Sequence, residues 1–226
     1  MTLSGWFARQ AGRMVATAGL LAAVAGVGAQ GRPAAAPIIL DTSQIDALAK
    51  FARQADGVAK AWYPRIGRIL GVETLSTEPI TIRIGVDIDG VAATGGRTIG
   101  VSARYVVKQP NDLGMIVHEL VHVVQGYPKY DPVWLVEGIA DYVRFYHYEP
   151  ISARPHPNPD RASCRDSYRT TGCFLDWACR TYDKDLVKKL NRALAAGSYS
   201  ESIWPTLTGK DLDTLNREWL ASLSAR

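Results

Sequence analysis

A chain of 226 residues suits one domain with a real core, and a charged fraction of 21% is ordinary for a soluble protein. The formal net charge of +4 falls to +2 without Arg9 and Arg13, which lie in a segment expected to be removed, and so mild an excess argues against nucleic-acid and membrane-surface binding. No internal repeat is visible.

Arg9 and Arg13 precede an apolar run from Met14 to Gly28, and Val27-Gly28-Ala29 offers small or aliphatic residues where a signal peptidase reads. Residues 1–29 therefore read as a cleaved secretory signal. An uncut membrane anchor is the alternative, although the run is shorter than the roughly 18–20 residues that span a bilayer. The mature protein is expected outside the cytoplasm, secreted or periplasmic, with no membrane contact after cleavage. Residues 30–40, rich in Gly, Pro and Ala, read as a linker into a domain at 41–226.

Thr42 and Ser43 can cap a first helix, whose buried stripe is Ile45, Leu48, Ala52, Ala55, Ala59, Trp62 and Ile66, with Pro64 expected to bend or end it. Trp62 and Tyr63 read as packing residues. Ile80, Ile82, Ile84 and Val86 then alternate with polar residues as a strand does. Asp89-Gly90 and Thr94-Gly95-Gly96 punctuate a turn before a second strand over 98–103, which reads either as an exposed sheet edge that could pair with an extended peptide or as an ordinary strand of the sheet.

Pro110, Asn111 and Asp112 give start signals for a helix apolar on almost every side, carrying His118-Glu119-Leu120-Val121-His122. Histidines at this spacing stack one turn apart on one face, so both imidazoles can reach one ion, with Glu119 beside them. Polar groups on a buried helix are costly without partners, so they need a reason. A hydrolytic zinc takes three protein ligands and keeps a position for water. Gly126-Tyr127-Pro128 breaks this helix, Asp131 reads as the cap of the next with Pro132 at its first position, and over 133–144 that helix offers Glu137 as third ligand. Asp141, one turn later, is suited to accept the second ring N–H of one histidine. His147 and His156 read as surface or packing residues.

Pro150, Pro155, Pro157 and Pro159 make 149–160 a loop, and helices follow at about 166–182, 184–196 and 211–224. Cys173 and Cys179 lie too far apart on one helix to bridge each other, so any disulfide would include Cys164; three buried thiols are the other possibility.

HELVHVVQ at 118–125 with WLVEGIADYVR at 134–144 resembles the basic secretory protein family, read as zinc peptidases of plants and bacteria. Tyr168 to Asp176 and Leu207 to Leu212 are similar to its later segments, so the resemblance spans about 40–224. It implies an α+β, gluzincin-like (zincin-like) fold, with a small mixed or antiparallel sheet, the HExxH helix under a cleft and a mainly helical carboxyl half. It also implies that Glu137 binds zinc and that Asp141 supports a histidine, and by its match to the family's tyrosine Tyr168 is the candidate catalytic donor to the oxyanion, a packing residue being the other reading; Tyr142 and Tyr146 are reserve candidates. The chain departs from the pattern in a short interval between His122 and Glu137, in its cysteines and in its proline-rich loop.

The expectation is a secreted Zn2+-dependent peptidase acting on a peptide or protein substrate, in which Glu119 is the catalytic base. The rival is a non-catalytic exported protein of the same fold with a structural metal or a partner-binding cleft. A metal-assisted hydrolase of a non-peptide bond is a further reading.

Overall fold

The computed structural model describes residues 38–41 and 48–224, all within one compact unit. The expected secretory signal, most of the linker, the Thr42–Ser43 cap and Ile45 lie outside the described residues.

The alternation at Ile80–Gly85 produces β2, in which Ile80, Ile82 and Ile84 are buried and Thr81 and Arg83 are half-buried. Val86 lies beyond the strand end and is 46% exposed, so the alternating pattern stops short of it. Ile38–Asp41, mostly inside the expected linker, forms β1 and pairs parallel to β2 in the register Ile38 to Ile80. Ala92–Gly95 and Thr98–Ser102 form β3 and β4, an antiparallel hairpin closed by Gly96 at φ 58°, a left-handed conformation that favours glycine.

The four strands run in the order β1-β2-β4-β3, with β2 and β4 parallel, so the sheet is mixed. This decides between the two readings of β4. The strand at 98 onward is not an edge, because β2 takes its hydrogen bonds on one side and β3 on the other. The edges belong to β1 and to β3, and the glycines of 94–96 disguise β3 as a turn.

Helix α1, Ala49–Leu70, buries Phe51, Ala52, Ala55, Ala59, Tyr63, Ile66 and Leu70 along one stripe. It continues past Pro64 and closes on left-handed Gly71. Trp62 meets Tyr148 edge-on at 5.2 Å, and the Tyr63 hydroxyl donates to the Ser76 carbonyl, both in packing roles. Two six-residue helices have too few turns to show a period: α2, Ala103–Lys108, and α7, Ile203–Thr208.

The others follow their patterns: α3, Gly114–Gln125; α4, Val133–Val143, continuing as a π-helical turn over Arg144–Tyr148; α5, Tyr168–Thr181; α6, Leu186–Ala195; α8, Leu212–Ser224. The fold is α+β with a helical carboxyl half. Among the described residues no helix is long and apolar enough to cross a membrane. Cys164, Cys173 and Cys179 are buried and none is in a disulfide, and burial pushes the Cys164 thiol up to about 12.

Two glycines let α4 and α5 approach closely. A Cβ at Gly138 would lie 2.1 Å from Thr171 Cγ2, and one at Gly172 would lie 3.0 Å from the Tyr142 backbone nitrogen. Helix α3 packs against α1, α4 and β3. Thus the two helices that carry the motif residues are neighbours, and the edge strand lies along the first of them.

Candidate metal centre

Helix α3 is apolar nearly all round because it is enclosed: its residues from Gly114 to Val121 are all buried, including His118 and Glu119. Its start is tied to the end of α4, since Asp112 Oδ1 accepts both the Met115 N–H at 3.3 Å and the Arg144 guanidinium at 2.6 Å. Gly126, at φ 42°, ends it and donates its N–H to the His122 carbonyl. The expected cap of α4 is one residue displaced: Pro132, not Asp131, occupies the cap position and its carbonyl accepts from Leu135 and Val136.

From these two helices, His118, His122 and Glu137 converge, and they form a group that could hold a metal ion. The Nε2 atoms of His118 and His122 are 3.1 Å apart, and Glu137 Oε2 lies 3.1 Å from the first and 3.5 Å from the second. Tetrahedral zinc with bonds of about 2.0–2.1 Å separates its ligand atoms by about 3.4 Å, so the spacing fits.

The second ring nitrogens are both engaged. His118 Nδ1 lies 2.7 Å from Asp141 Oδ1, and His122 Nδ1 lies 2.7 Å from Gln125 Oε1. A carboxylate only accepts, so the first Nδ1 carries a proton. Gln125 Nε2 donates to the Val136 carbonyl at 3.1 Å, which turns its oxygen toward His122 and puts a proton on that Nδ1 too. In the neutral imidazoles both Nε2 atoms then present lone pairs to a carboxylate oxygen. Three such atoms at this distance repel one another unless a cation or a proton lies between them.

Without a metal, that partner is a proton. Burial opposes charge on His118, but its bonds to Asp141 and Glu137 outweigh burial and raise its pKa to about 10. Burial likewise opposes charge on Glu137, while His118 and His122 hold its carboxyl well below the usual range.

Glu119 is 6% exposed, and the Thr94 hydroxyl on β3 lies 2.7 Å from its Oε2 and 3.1 Å from its backbone oxygen. Tyr168 stacks on His118 with ring centroids 6.2 Å apart and rings 15° from parallel. Burial first, then the charges of Glu137, Asp141 and Glu119, push its phenol up to about 12, so it stays a donor at neutral pH. Tyr168 and the preceding Ser167 both have positive φ, 46° and 66°, an uncommon conformation for side-chain-bearing residues, at the start of α5. Tyr130, in the loop before α4, donates to Glu137 Oε1, and its hydroxyl lies 3.4 Å from His122 Nε2.

The structure thus brings together His118, His122, Glu137, Asp141 and Tyr168. Tyr142 and Tyr146 stack on each other at 6.1 Å, and Tyr142 also meets His147, so neither reserve tyrosine packs on the two histidines. His147 and His156 stand outside the metal-holding group. Sequence reasoning missed Thr94, Gln125 and Tyr130. Gln125 carried a signal, because it follows His122 at helical spacing on the same face; Thr94 and Tyr130 carried none.

A family described as BSP, peptidase of plants and bacteria, matches residues 42–219. No curated protein and no solved structure matches the chain.

Proposed function

This chain belongs to the BSP family of peptidases of plants and bacteria, and from that premise we propose that it is a secreted, zinc-dependent peptidase. One observation carries the reading: two Nε2 atoms and one carboxylate oxygen, from two adjacent helices, converge at tetrahedral spacing beside Glu119. A zinc ion held by His118, His122 and Glu137 supplies Lewis acidity and lowers the pKa of a water to about 7.

The chain's own residues do the rest. With Oε2 held by Thr94, Glu119 has Oε1 left to accept a proton from the attacking water and to return it to the leaving amine. Asp141 keeps the proton of His118 on Nδ1. The edge of β3 offers backbone donors and acceptors to an extended peptide, next to the glutamate that Thr94 holds. Tyr168, neutral and directed over His118, serves as a hydrogen-bond donor to developing negative charge. Secretion rests on Arg9, Arg13 and the apolar run that follows them.

A second reading, a structural metal in a non-catalytic site, is favoured by Tyr130, whose hydroxyl lies close enough to His122 Nε2 and Glu137 to close a fourth position. Metal analysis of the purified mature protein, with cleavage of a random peptide library before and after chelation, tests the proposal. Zinc at one equivalent and chelator-sensitive cleavage are expected. Cleavage that persists after complete metal removal overturns it.

A further inference from the structure

Gln125 has no part in the chemistry above, yet it is 6% exposed and both ends of its amide are committed. Its Oε1 lies 2.7 Å from His122 Nδ1, and its Nε2 donates across 3.1 Å to the carbonyl of Val136, the residue before Glu137. We infer that Gln125 is a positioning residue: it keeps a proton on His122 Nδ1, leaving Nε2 its lone pair, and ties the helix of the two histidines to the backbone that carries Glu137. The inference rests on the metal reading above.

The residue type follows from the two partners. Val136 offers an acceptor and His122 Nδ1–H a donor, so the side chain between them needs one donor and one acceptor at opposite ends. A glutamate meets His122 but turns an oxygen toward the Val136 carbonyl, and an apolar side chain meets neither. The two histidines are therefore backed unequally, His118 by the carboxylate of Asp141 and His122 by a neutral amide. Gln125 sets the proton position without adding a second negative charge behind the site.

The test compares zinc affinity, by competition with a chromophoric chelator, and the visible spectrum of the Co(II)-substituted mature protein. Gln125→Met, close in volume, is expected to fold, to bind zinc about 10- to 100-fold more weakly and to change the Co(II) bands. Unchanged affinity and bands in a folded Gln125→Met overturn the inference, while the wild type still binds. Gln125→Glu, which retains the acceptor for Nδ1, is expected to bind more tightly than Gln125→Met; equal losses overturn the role assigned to Oε1. A measurement without variants guards against misfolding: 15N shifts of the zinc-loaded wild type are expected to report Nε2 coordination and a protonated Nδ1 at His122, and Nδ1 coordination overturns the inference. A wild type with no affinity for zinc removes the metal reading and this inference together.

Discussion

The hydroxyl of Thr94, on the edge strand, lies 2.7 Å from Oε2 of Glu119, a residue 25 positions later on the helix of the two histidines. One hydrogen bond thus joins the strand suited to receive a substrate to the carboxylate proposed to move its proton. A donor on Oε2 limits the rotation of the carboxylate and leaves its other oxygen for the proton transfer proposed above.

Removing that donor is expected to slow turnover without loosening the metal. A hydrogen bond to a charged group contributes about 1.5–3 kcal/mol, so Thr94→Val should lower kcat about 10- to 100-fold. Glu119→Gln should lower it further, by about 100- to 10,000-fold, the usual contribution of a general base. Both variants should retain zinc at one equivalent by elemental analysis. Wild-type turnover in Glu119→Gln would remove the proposed mechanism.

The two tyrosines at the site are expected to separate by readout. Tyr168→Phe retains the ring that stacks on His118 and loses only the hydroxyl, whose bond to Glu137 is a minor one, so kcat should fall with a smaller loss of zinc affinity than in Tyr130→Phe. Tyr130→Phe removes a donor to Glu137 Oε1, so zinc affinity should fall. If Tyr130→Phe instead raises activity well above wild type, the hydroxyl was closing the fourth position, as the structural-metal reading requires.

Metal loading is expected to compete with a proton. In the metal-free protein the pKa of His118, raised to about 10 by Asp141 and Glu137, lies above the unperturbed value of about 6.5. At neutral pH His118 therefore holds a proton that zinc must displace. The apparent zinc affinity should rise as pH rises, by up to about tenfold per unit for one displaced proton, and level off as pH passes the raised value. Calorimetry in buffers of different ionisation enthalpy measures the released proton. Zinc binding at pH 7 with no dependence on buffer would contradict this account.

The glycine contact between α4 and α5 sets the stability of the helix pair that carries Glu137 and Tyr168. A methyl at position 138 would meet Thr171 Cγ2 at 2.1 Å, and Thr171 is fully buried with its hydroxyl bonded to the Cys164 carbonyl at 2.7 Å, so it has no free rotamer to retreat into. Gly138→Ala should cost about 1–3 kcal/mol or more. For a chain of this size that lowers Tm by about 2–4 °C per kcal/mol. Adding Thr171→Ser, which deletes the obstructing methyl and retains the hydroxyl, should recover part of the loss. No recovery would place the strain on the Cβ of residue 171, which lies 2.6 Å from the added methyl and remains in serine.

The site was legible in the sequence wherever its geometry is helical. His118 and His122, and likewise Glu137 and Asp141, are one turn apart on their own helices, and a backbone period of 3.6 residues determines that each pair shares a face before any packing is known. The buried character of both helices was legible for the same reason, from Ile116, Val117, Leu120 and Val121 on one and Leu135, Ile139, Ala140 and Val143 on the other. The alternating isoleucines of β2 were equally readable. Only the tertiary structure decided which strand is the edge, because strand order depends on pairing between β2 and β4, and the hairpin glycines conceal β3 in a run that resembles a turn. It also decided that Thr94 meets Glu119 and that Tyr130 meets Glu137 and His122. Each of those contacts joins residues from different elements, and their distance is set by how β3 and the loop before α4 pack on the two helices, which no local periodicity encodes.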